Sequence, residues 1–349
     1  MYRFQPLLKQ TIWGGDKIIA FKHLDTQALP FTTNIGESWE ISGVKGSETL
    51  VADGPDAGKS LNQLVREQKG QLVGQKNYER FGDEFPLLVK FIDAHRDLSI
   101  QVHPNDEVAR RHGHQHGKTE MWYCLSEKGK VNSEKFPTGV GSAEANYSLF
   151  TNHFSLEKPR LFNGLRQQLT PEAYRQMVAD GTITEALASF EVSEGDAFYI
   201  PAGRIHAIGT GCFVAEIQQT SDVTYRIYDY QRRDAQGNLR ELHTQLAAEA
   251  IDYGVHDDYR IPYDQQKNTR CPIISCPCFT TAVYDMTEPM TIDYSDIDSF
   301  IILMAVGGKG TIRCDGSEAS FQIGDTILLP ATTQEVKVKG TVRFLEIHV

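Results

Sequence analysis

Twelve residues, Gly195-Asp196-Ala197-Phe198-Tyr199-Ile200-Pro201-Ala202-Gly203-Arg204-Ile205-His206, set a turn at each end of a short apolar strand. Gly195-Asp196 leads the chain into the strand, and Pro201 with Gly203 bends it sharply on the way out. A bend at a strand end aims the next side chain, His206, toward the mouth of a β-barrel, where a neutral imidazole can bind a metal. The unit recurs as Gly324-Asp325-x-x-x-x-Pro330-Ala331, with the same spacing and identity at all four fixed positions. Such self-similarity marks a duplicated supersecondary unit. The second copy carries Glu335 where His206 would fall, and His348 is the only histidine beyond His256. The chain therefore reads as two β units, of which the second lacks the ligands.

The remaining pattern agrees with an all-β-dominated fold. Short β-branched and aromatic runs such as 85–92, 121–125 and 213–218 are broken by Gly, Asn and Asp, the spacing of a sandwich or barrel. Helical patterns are few. Ser60 caps one through about Lys69, ended by Gly70, and Thr170-Pro171-Glu172 opens another that Gly181 stops. A third is expected over Thr182 to Ala188 and a fourth over Glu241 to Tyr253. The second and third make a helical insertion at about 165–190. A first unit is expected over residues 1–256 and a smaller β-sandwich without metal over 265–349. The polar stretch Asp257 to Arg270 joins them.

With 349 residues and a net charge of −11, the chain is a poor fit to nucleic acid or an anionic membrane surface. A local group of Lys and Arg could still hold a small anion. No apolar run approaches the roughly 20 residues that span a bilayer, and the first residues do not read as a signal peptide, so the expected address is cytoplasmic. Six cysteines over this length do not make a disulfide scaffold. Cys271, Cys276 and Cys278 lack zinc-ribbon spacing and read as reduced thiols packed in a strand. Gly307-Gly308-Lys309-Gly310 reads as a hairpin turn rather than a phosphate loop, because no helix follows it.

Three segments hold ligand-type side chains. Gln101 and His103 alternate by two and share a strand face, Glu120 opens the next strand, and His206 follows the Pro-x-Gly bend. Two imidazoles, a carboxylate and an amide oxygen suit Zn²⁺, and Fe²⁺, Mn²⁺ or Co²⁺ could occupy the same set. Taken singly, each of these residues is more often structural; the coincidence of the Gln-x-His pair with the bend carries the case. His112, His114 and His116 lie in what reads as a mobile loop near the site entrance. Lys90 interrupts an apolar run, Lys118 shares a strand face with Glu120, and Arg226 sits among Thr224-Tyr225-Arg226-Ile227-Tyr228. Such an arginine offers a charge-assisted donor to an oxyanion or phosphate.

Gln101-Val102-His103-Pro104-Asn105-Asp106, Gly117-Lys118-Thr119-Glu120-Met121-Trp122-Tyr123, Pro201-Ala202-Gly203-x-x-His206-Ala207 and Ser221-Asp222-x-Thr224-Tyr225-Arg226-Ile227-Tyr228-Asp229-Tyr230 together resemble the type I mannose-6-phosphate isomerases in their short bacterial form. Ile12-Trp13-Gly14-Gly15 and Gly36-Glu37-Ser38-Trp39-Glu40-Ile41-Ser42 match the same family, which belongs to the cupins. The resemblance implies a cupin jelly-roll barrel followed by a smaller cupin-like β-sandwich. It implies one Zn²⁺ per chain held by Gln101, His103, Glu120 and His206, and a sugar phosphate interconverted between aldose and ketose through an enediol(ate). Arg226 matches the family's active-site arginine, and Lys90, Ser99, Lys118 and Glu216 match residues lining its pocket. On this basis Arg226 stabilises negative charge, and Glu216 is the expected proton-transfer base, with its pKa raised toward working pH. His103 or a metal-bound water is the alternative base. Lys90, Lys118 and Ser99 are expected to hold the phosphate or the metal-side oxygens. Oligomeric state is left open between monomer and homodimer. Other metal-dependent cupin enzymes, whether sugar isomerases or Fe/Mn oxygenases, and a non-catalytic sugar-binding cupin are the competing readings.

Overall fold

A computed structural model describes residues 1–126, 158–234, 236–256 and 259–349. Strands dominate it, arranged in three main sheets and one two-stranded ribbon. The six-stranded sheet runs, from one edge, Ala197–Ile200, Glu120–Cys124, Phe213–Gln219, Leu87–Asp93, Ile35–Ser42 and Leu7–Gly15. The five-stranded sheet runs Tyr225–Tyr228, Ile100–Val102, His206–Ile208, Arg160–Leu165 and Leu187–Glu191. Between them lies an apolar floor that includes Trp13, Ile92, Leu98, Trp122, Leu161, Phe198, Ile208 and Val214. This is the expected cupin sandwich, built of facing open sheets and not closed by hydrogen bonds into a barrel.

The third sheet has seven strands, all between Arg270 and His348, with the 14-residue strands Ile301–Cys314 and Glu335–His348 at its centre. Its own core contains Leu303, Ile312, Phe321, Leu329, Val338 and Phe344. The alternate residues of the same strands, Ile302, Met304, Leu345 and Ile347, join Leu87, Val89, Phe91, Met121 and Ile217 from the back of the six-stranded sheet in one continuous core. The period of two thus gives each central strand two buried faces. Phe85 and Phe300 meet across this seam with ring centroids 4.4 Å apart. The first residues of the chain cross the same seam, Tyr2 exchanging backbone hydrogen bonds with Leu328 at 2.8 and 2.9 Å.

The internal repeat is a repeat in hydrogen bonding as well as in letters. Asp196 accepts from Ser193 N at 2.9 Å, and Asp325 accepts from Gln322 N at 2.9 Å. Gly195 and Gly324 have φ of 89° and 86°, the left-handed region that glycine adopts without a Cβ penalty. Gly195 N donates to Cys124 O at 2.9 Å, and Gly324 N to Ala305 O at 3.0 Å. Cys124 and Ala305 are therefore equivalent positions in the two units.

Helical expectations fare unevenly. Ser60 Oγ accepts from Gln63 N and caps Leu61–Gln68, and Thr170 Oγ1 accepts from Ala173 N and caps Pro171–Ala179 with Pro at its first position. Lys69, at φ 52°, ends the first of these helices, and Gly70 instead begins the next short one, Gly70–Val73. Over Thr182 to Ala188 only the 3₁₀ turn Ile183–Ala186 forms, because Leu187 leaves to pair with Leu165 in the five-stranded sheet. The insertion accordingly lies between strands of that sheet. The helix expected over Glu241 to Tyr253 shrinks to Thr244–Ala250. His243 N instead donates to Arg226 O at 2.7 Å, and Asp252 N to Gly203 O at 2.7 Å, so both ends are drawn into the sheet's rim. Gly307 to Gly310 is no turn: it lies inside the Ile301–Cys314 strand, just past a bulge between Ala305 and Gly307, and Gly308 takes φ 70°. The first residues of the joint, 257 and 258, lie outside the described residues. Cys271 is buried in Arg270–Ser275, whereas Cys276 and Cys278 sit in the turn beyond it, and all are free thiols.

If the two Gly-Asp turns do equivalent work, Asp196→Ala and Asp325→Ala should each lower stability by about 1 kcal/mol, the cost of one lost capping hydrogen bond. Urea unfolding monitored by tryptophan fluorescence checks both.

Candidate metal centre

Sheet register assembles the centre. Residues directly opposite in an antiparallel pair point to one face. In the five-stranded sheet Arg226 stands opposite Gln101, Gln101 opposite His206, and His206 opposite Asn163, giving one row across four strands. In the six-stranded sheet Trp122 stands opposite Glu216, Glu216 opposite Lys90, and Lys90 opposite Trp39. Glu120, two residues before Trp122, shares the face of this second row. The two rows meet between the sheets, where Glu120 Oε1 lies 3.4 Å from His206 Nε2.

The Pro201–Gly203 bend ties the three ligand segments together. Gly203 N donates to His103 O at 2.8 Å, and Ala202 N to Thr119 Oγ1 at 3.2 Å. A Cβ on Gly203, whose φ is 92°, would stand 3.0 Å from Ala250 O. The loop from Pro104 to Lys118 is closed at its neck, Lys118 N donating to Pro104 O at 3.0 Å. It holds the helix Asp106–Arg111, which Asn105 caps through Val108 N. The expected mobile histidine loop is thus partly helical. His112 pairs with Glu249 at 3.1 Å and His116 with Glu84 at 3.0 Å, and neither belongs to the convergent donor set.

His103, Glu120 and His206 are fully buried and converge. The two Nε2 atoms are 3.2 Å apart, with Glu120 Oε2 3.6 Å from the first and Oε1 3.4 Å from the second. His103 Nδ1 donates to Val223 O at 2.8 Å and His206 Nδ1 to Arg204 O at 2.8 Å. In a neutral imidazole that leaves a lone pair on each Nε2. Two lone pairs and a carboxylate face one point, and neither imidazole has a proton to give the other. Glu120 Oε1 also has no hydrogen-bond partner among the described residues. Buried acceptors arranged this way call for a cation. Gln101 adds its amide 3.3 Å from His206 Nε2, where rotation of the amide would present the oxygen. The donor set fits a divalent metal ion.

Electrostatics agree with that fit. Burial holds His206 down to about 3 and His103 well below its ordinary value, with Lys118 adding to the effect, so both rings are neutral. Burial pushes Glu120 up to about 7, against the pull of Lys118. Lys118 Nζ lies 3.1 Å from His103 Nε2, contacts Glu120 Oε2, and reaches Glu216 Oε1 at 3.8 Å. Lys90 Nζ is buried between Glu216 Oε1 at 3.1 Å and Glu37 Oε2 at 3.4 Å.

Glu216 departs from expectation. Burial favours its neutral form, but Lys118, Lys90 and the Trp122 Nε1 hydrogen bond at 2.9 Å outweigh burial and hold it down to about 2. A carboxylate this acidic is a poor base. The expected raised pKa is not found, and Glu216 reads as the anchor of two lysines. Lys90 and Lys118 are likewise committed to carboxylates rather than presented to an incoming phosphate. Ser99 is buried two residues before Gln101. Arg226 Nη1 donates to Glu241 O at 2.9 Å, while its Nε is buried without a partner among the described residues.

Four contributors were not picked out from the sequence. Trp122 sets its ring edge to His206, centroids 5.4 Å apart, and anchors Glu216. Glu37 neutralises Lys90, Trp39 lies under Lys90 with its ring 5.0 Å from Nζ, and Asn163 is buried beside His206. Trp122 was legible as the residue two beyond Glu120 on an alternating strand. Glu37 and Trp39 depend on long-range register that no local pattern reveals.

Comparison with known proteins places this arrangement. Residues 1–131 match the family model described as phosphomannose isomerase type I, catalytic domain, and residues 269–349 match that of the mannose-6-phosphate isomerase cupin domain. The mannose-6-phosphate isomerase ManA of Bacillus subtilis is 31% identical over 99% of this chain and 98% of its own length. The chain belongs to the type I mannose-6-phosphate isomerase family. A Streptococcus mutans mannose-6-phosphate isomerase is 29% identical over 99% of this chain and 96% of its own. The crystal structure of the Bacillus subtilis mannose 6-phosphate isomerase superposes with a TM-score of 0.82 and 27% identity, covering 100% of this chain and 99% of that one. Among the described residues no helix is long and apolar enough to cross a membrane.

Neutral buried imidazoles have a consequence for the metal-depleted protein. Below about pH 6.5 the unfolded chain binds protons that the folded histidines refuse, so their stabilisation is complete above that pH and drains away toward about 3. Glu120, raised to about 7, opposes this partially between 4.5 and 7 by taking a proton in the folded state. The urea midpoint of chelator-treated protein should fall from pH 7 to pH 5, and His206→Gln should flatten that fall.

Proposed function

We propose that this chain interconverts D-mannose 6-phosphate and D-fructose 6-phosphate at a zinc centre held by Gln101, His103, Glu120 and His206. The observation that supports it most is the meeting of two Nε2 lone pairs 3.2 Å apart with a buried carboxylate, on the sheet face shared by Arg226. Family membership and the near-complete overlap with isomerases named for this substrate support the same reading. The division into a catalytic unit, residues 1–256, and a cupin-like sandwich, residues 265–349, is part of it. A phosphorylated sugar does not cross membranes unaided, so the proposal carries a cytoplasmic address.

The reaction moves a proton between C2 and C1 of the sugar, and negative charge develops on the oxygens of the enediol(ate). When bound, Zn²⁺ would supply Lewis-acid polarisation of those oxygens. Arg226, whose Nε is buried without a partner among the described residues, donates to the developing charge. Lys118, whose Nζ lies 3.1 Å from His103 Nε2, would turn from its carboxylate partners to a sugar oxygen once a metal takes up the charge of Glu120. Glu216 holds Lys118 and Lys90 in place, and Trp122 holds Glu216. Ser99 and Arg226 remain the residues proposed to meet the substrate from the five-stranded sheet.

Arg226→Ala should lower kcat about 100-fold or more while leaving metal content near one per chain, since the arginine stands outside the donor set. His206→Gln should lose both metal and turnover. A coupled isomerase assay with metal analysis on the same samples reads both. Near-normal turnover without Arg226, or full metal occupancy without His206, contradicts the proposal.

A further inference from the structure

The turn that joins Arg270–Ser275 to Thr280–Met286 holds two thiols that the metal centre does not use. Ser275 stands opposite Thr280 in that hairpin, and Cys276 N donates to Phe279 O at 3.0 Å, so Cys276-Pro277-Cys278-Phe279 is its closing loop. Pro277 takes the second position of this four-residue turn, where its fixed φ favours the bend. The Pro277 carbonyl accepts from Arg80 Nη1 at 3.1 Å. The loop also touches strands of the first sandwich. The Cys276 thiol meets the Tyr199 hydroxyl, and the Cys278 thiol meets Cys276 and the Thr119 hydroxyl. Asp106 is the charged side chain that faces Cys278.

Within the pair the two sulfurs differ. The Cys278 thiol donates to Cys276, the backbone N–H groups of Cys278 and Phe279 favour its thiolate, and the Tyr199 hydroxyl adds to them. Together they outweigh burial and hold Cys276 down to about 6. The same contact pushes Cys278 up, so Cys278 keeps its proton. The other cysteines are placed differently. Burial raises Cys124, Cys212 and Cys314, and Cys271 is buried with its Sγ 3.4 Å from Gln266 O. Both thiols of the turn are partly exposed, and Cys278 borders a cavity of about 180 Å³ that Arg80, Arg110 and His116 also line. A reachable thiolate with a protonated thiol against it has the parts of a peroxide-reactive cysteine and its resolving partner.

We propose that Cys276 and Cys278 form an oxidative modification site for hydroperoxides, independent of the reaction assigned to the metal centre. The Cys276 sulfur attacks the O–O bond and takes one oxygen as a sulfenic acid, while the other oxygen leaves as hydroxide or alkoxide. The Cys278 sulfur then attacks the Cys276 sulfur. The S–O bond breaks, the Cys278 proton leaves with the hydroxyl as water, and a disulfide spans the turn. The pair loses two electrons and the peroxide gains them; a dithiol reductant restores both thiols.

The test is equimolar hydrogen peroxide added to the full-length, metal-loaded protein, followed by peptide mass spectrometry. The expected product is a Cys276–Cys278 disulfide that dithiothreitol reverses, with Cys124, Cys212, Cys271 and Cys314 still free. Cys278→Ser should stop at a sulfenic acid on Cys276 that dimedone traps, and Cys276→Ser should leave Cys278 unoxidised under the same exposure. Turnover of both reduced variants should match the parent. In the reduced protein, alkylation of Cys276 by iodoacetamide should slow about tenfold from pH 7 to pH 5 and change little from pH 7 to pH 8, following the thiolate fraction. The proposal is overturned if the peroxide spares the pair or oxidises a buried cysteine first, if Cys278 reacts as well without Cys276, or if alkylation of Cys276 keeps rising steeply above pH 7 as for an ordinary thiol.

Discussion

Two hydrogen bonds to backbone carbonyls govern this structure. By giving its Nδ1 proton to Val223 O or Arg204 O, each of His103 and His206 is left with a lone pair on Nε2, and the fold brings those lone pairs to 3.2 Å. A buried carboxylate completes an arrangement that is unfavourable without a positive charge at its centre. The surrounding design can be read as what is needed to hold it: a glycine bend tying three segments, two lysines, and an acidic partner that pairs with both lysines.

Glu216 shows how strongly context decides a side chain's chemistry. A buried carboxylate in a pocket would ordinarily rise in pKa and serve as a base. Here two ammonium groups and an indole N–H reverse the direction. The equivalent Glu346, opposite Leu303 as Glu216 is opposite Trp122, meets an arginine and a tyrosine hydroxyl instead, beside an alanine. The same strand position therefore holds two lysines in one sandwich and one arginine in the other. Duplication preserved the turn geometry, with matching hydrogen bonds at Asp196 and Asp325, while the chemistry diverged.

Much of this was legible in the chain because it is local. The alternation of Gln101 and His103, the Gly-Asp turns and the capped helices at Ser60 and Thr170 are decided by neighbours in sequence. The pairing of Glu216 with Lys90 and Trp122 is not, since it arises from register between strands up to 126 residues apart. The short fate of the Thr182 and Glu241 helices has the same origin: sheet and rim hydrogen bonds from Leu187, His243 and Asp252 overrode helical periodicity. The Gly307–Gly310 run failed differently, because glycines inside a strand mark a bulge as readily as a turn.

X-ray absorption at the zinc edge of the metal-loaded protein tests the central claim most directly. The account predicts a first shell of nitrogen and oxygen alone, at about 2.0–2.2 Å, with outer-shell scattering from two imidazoles. A sulfur shell at about 2.3 Å, which would put the ion on cysteines such as Cys276 and Cys278, or a shell without imidazole, would contradict it.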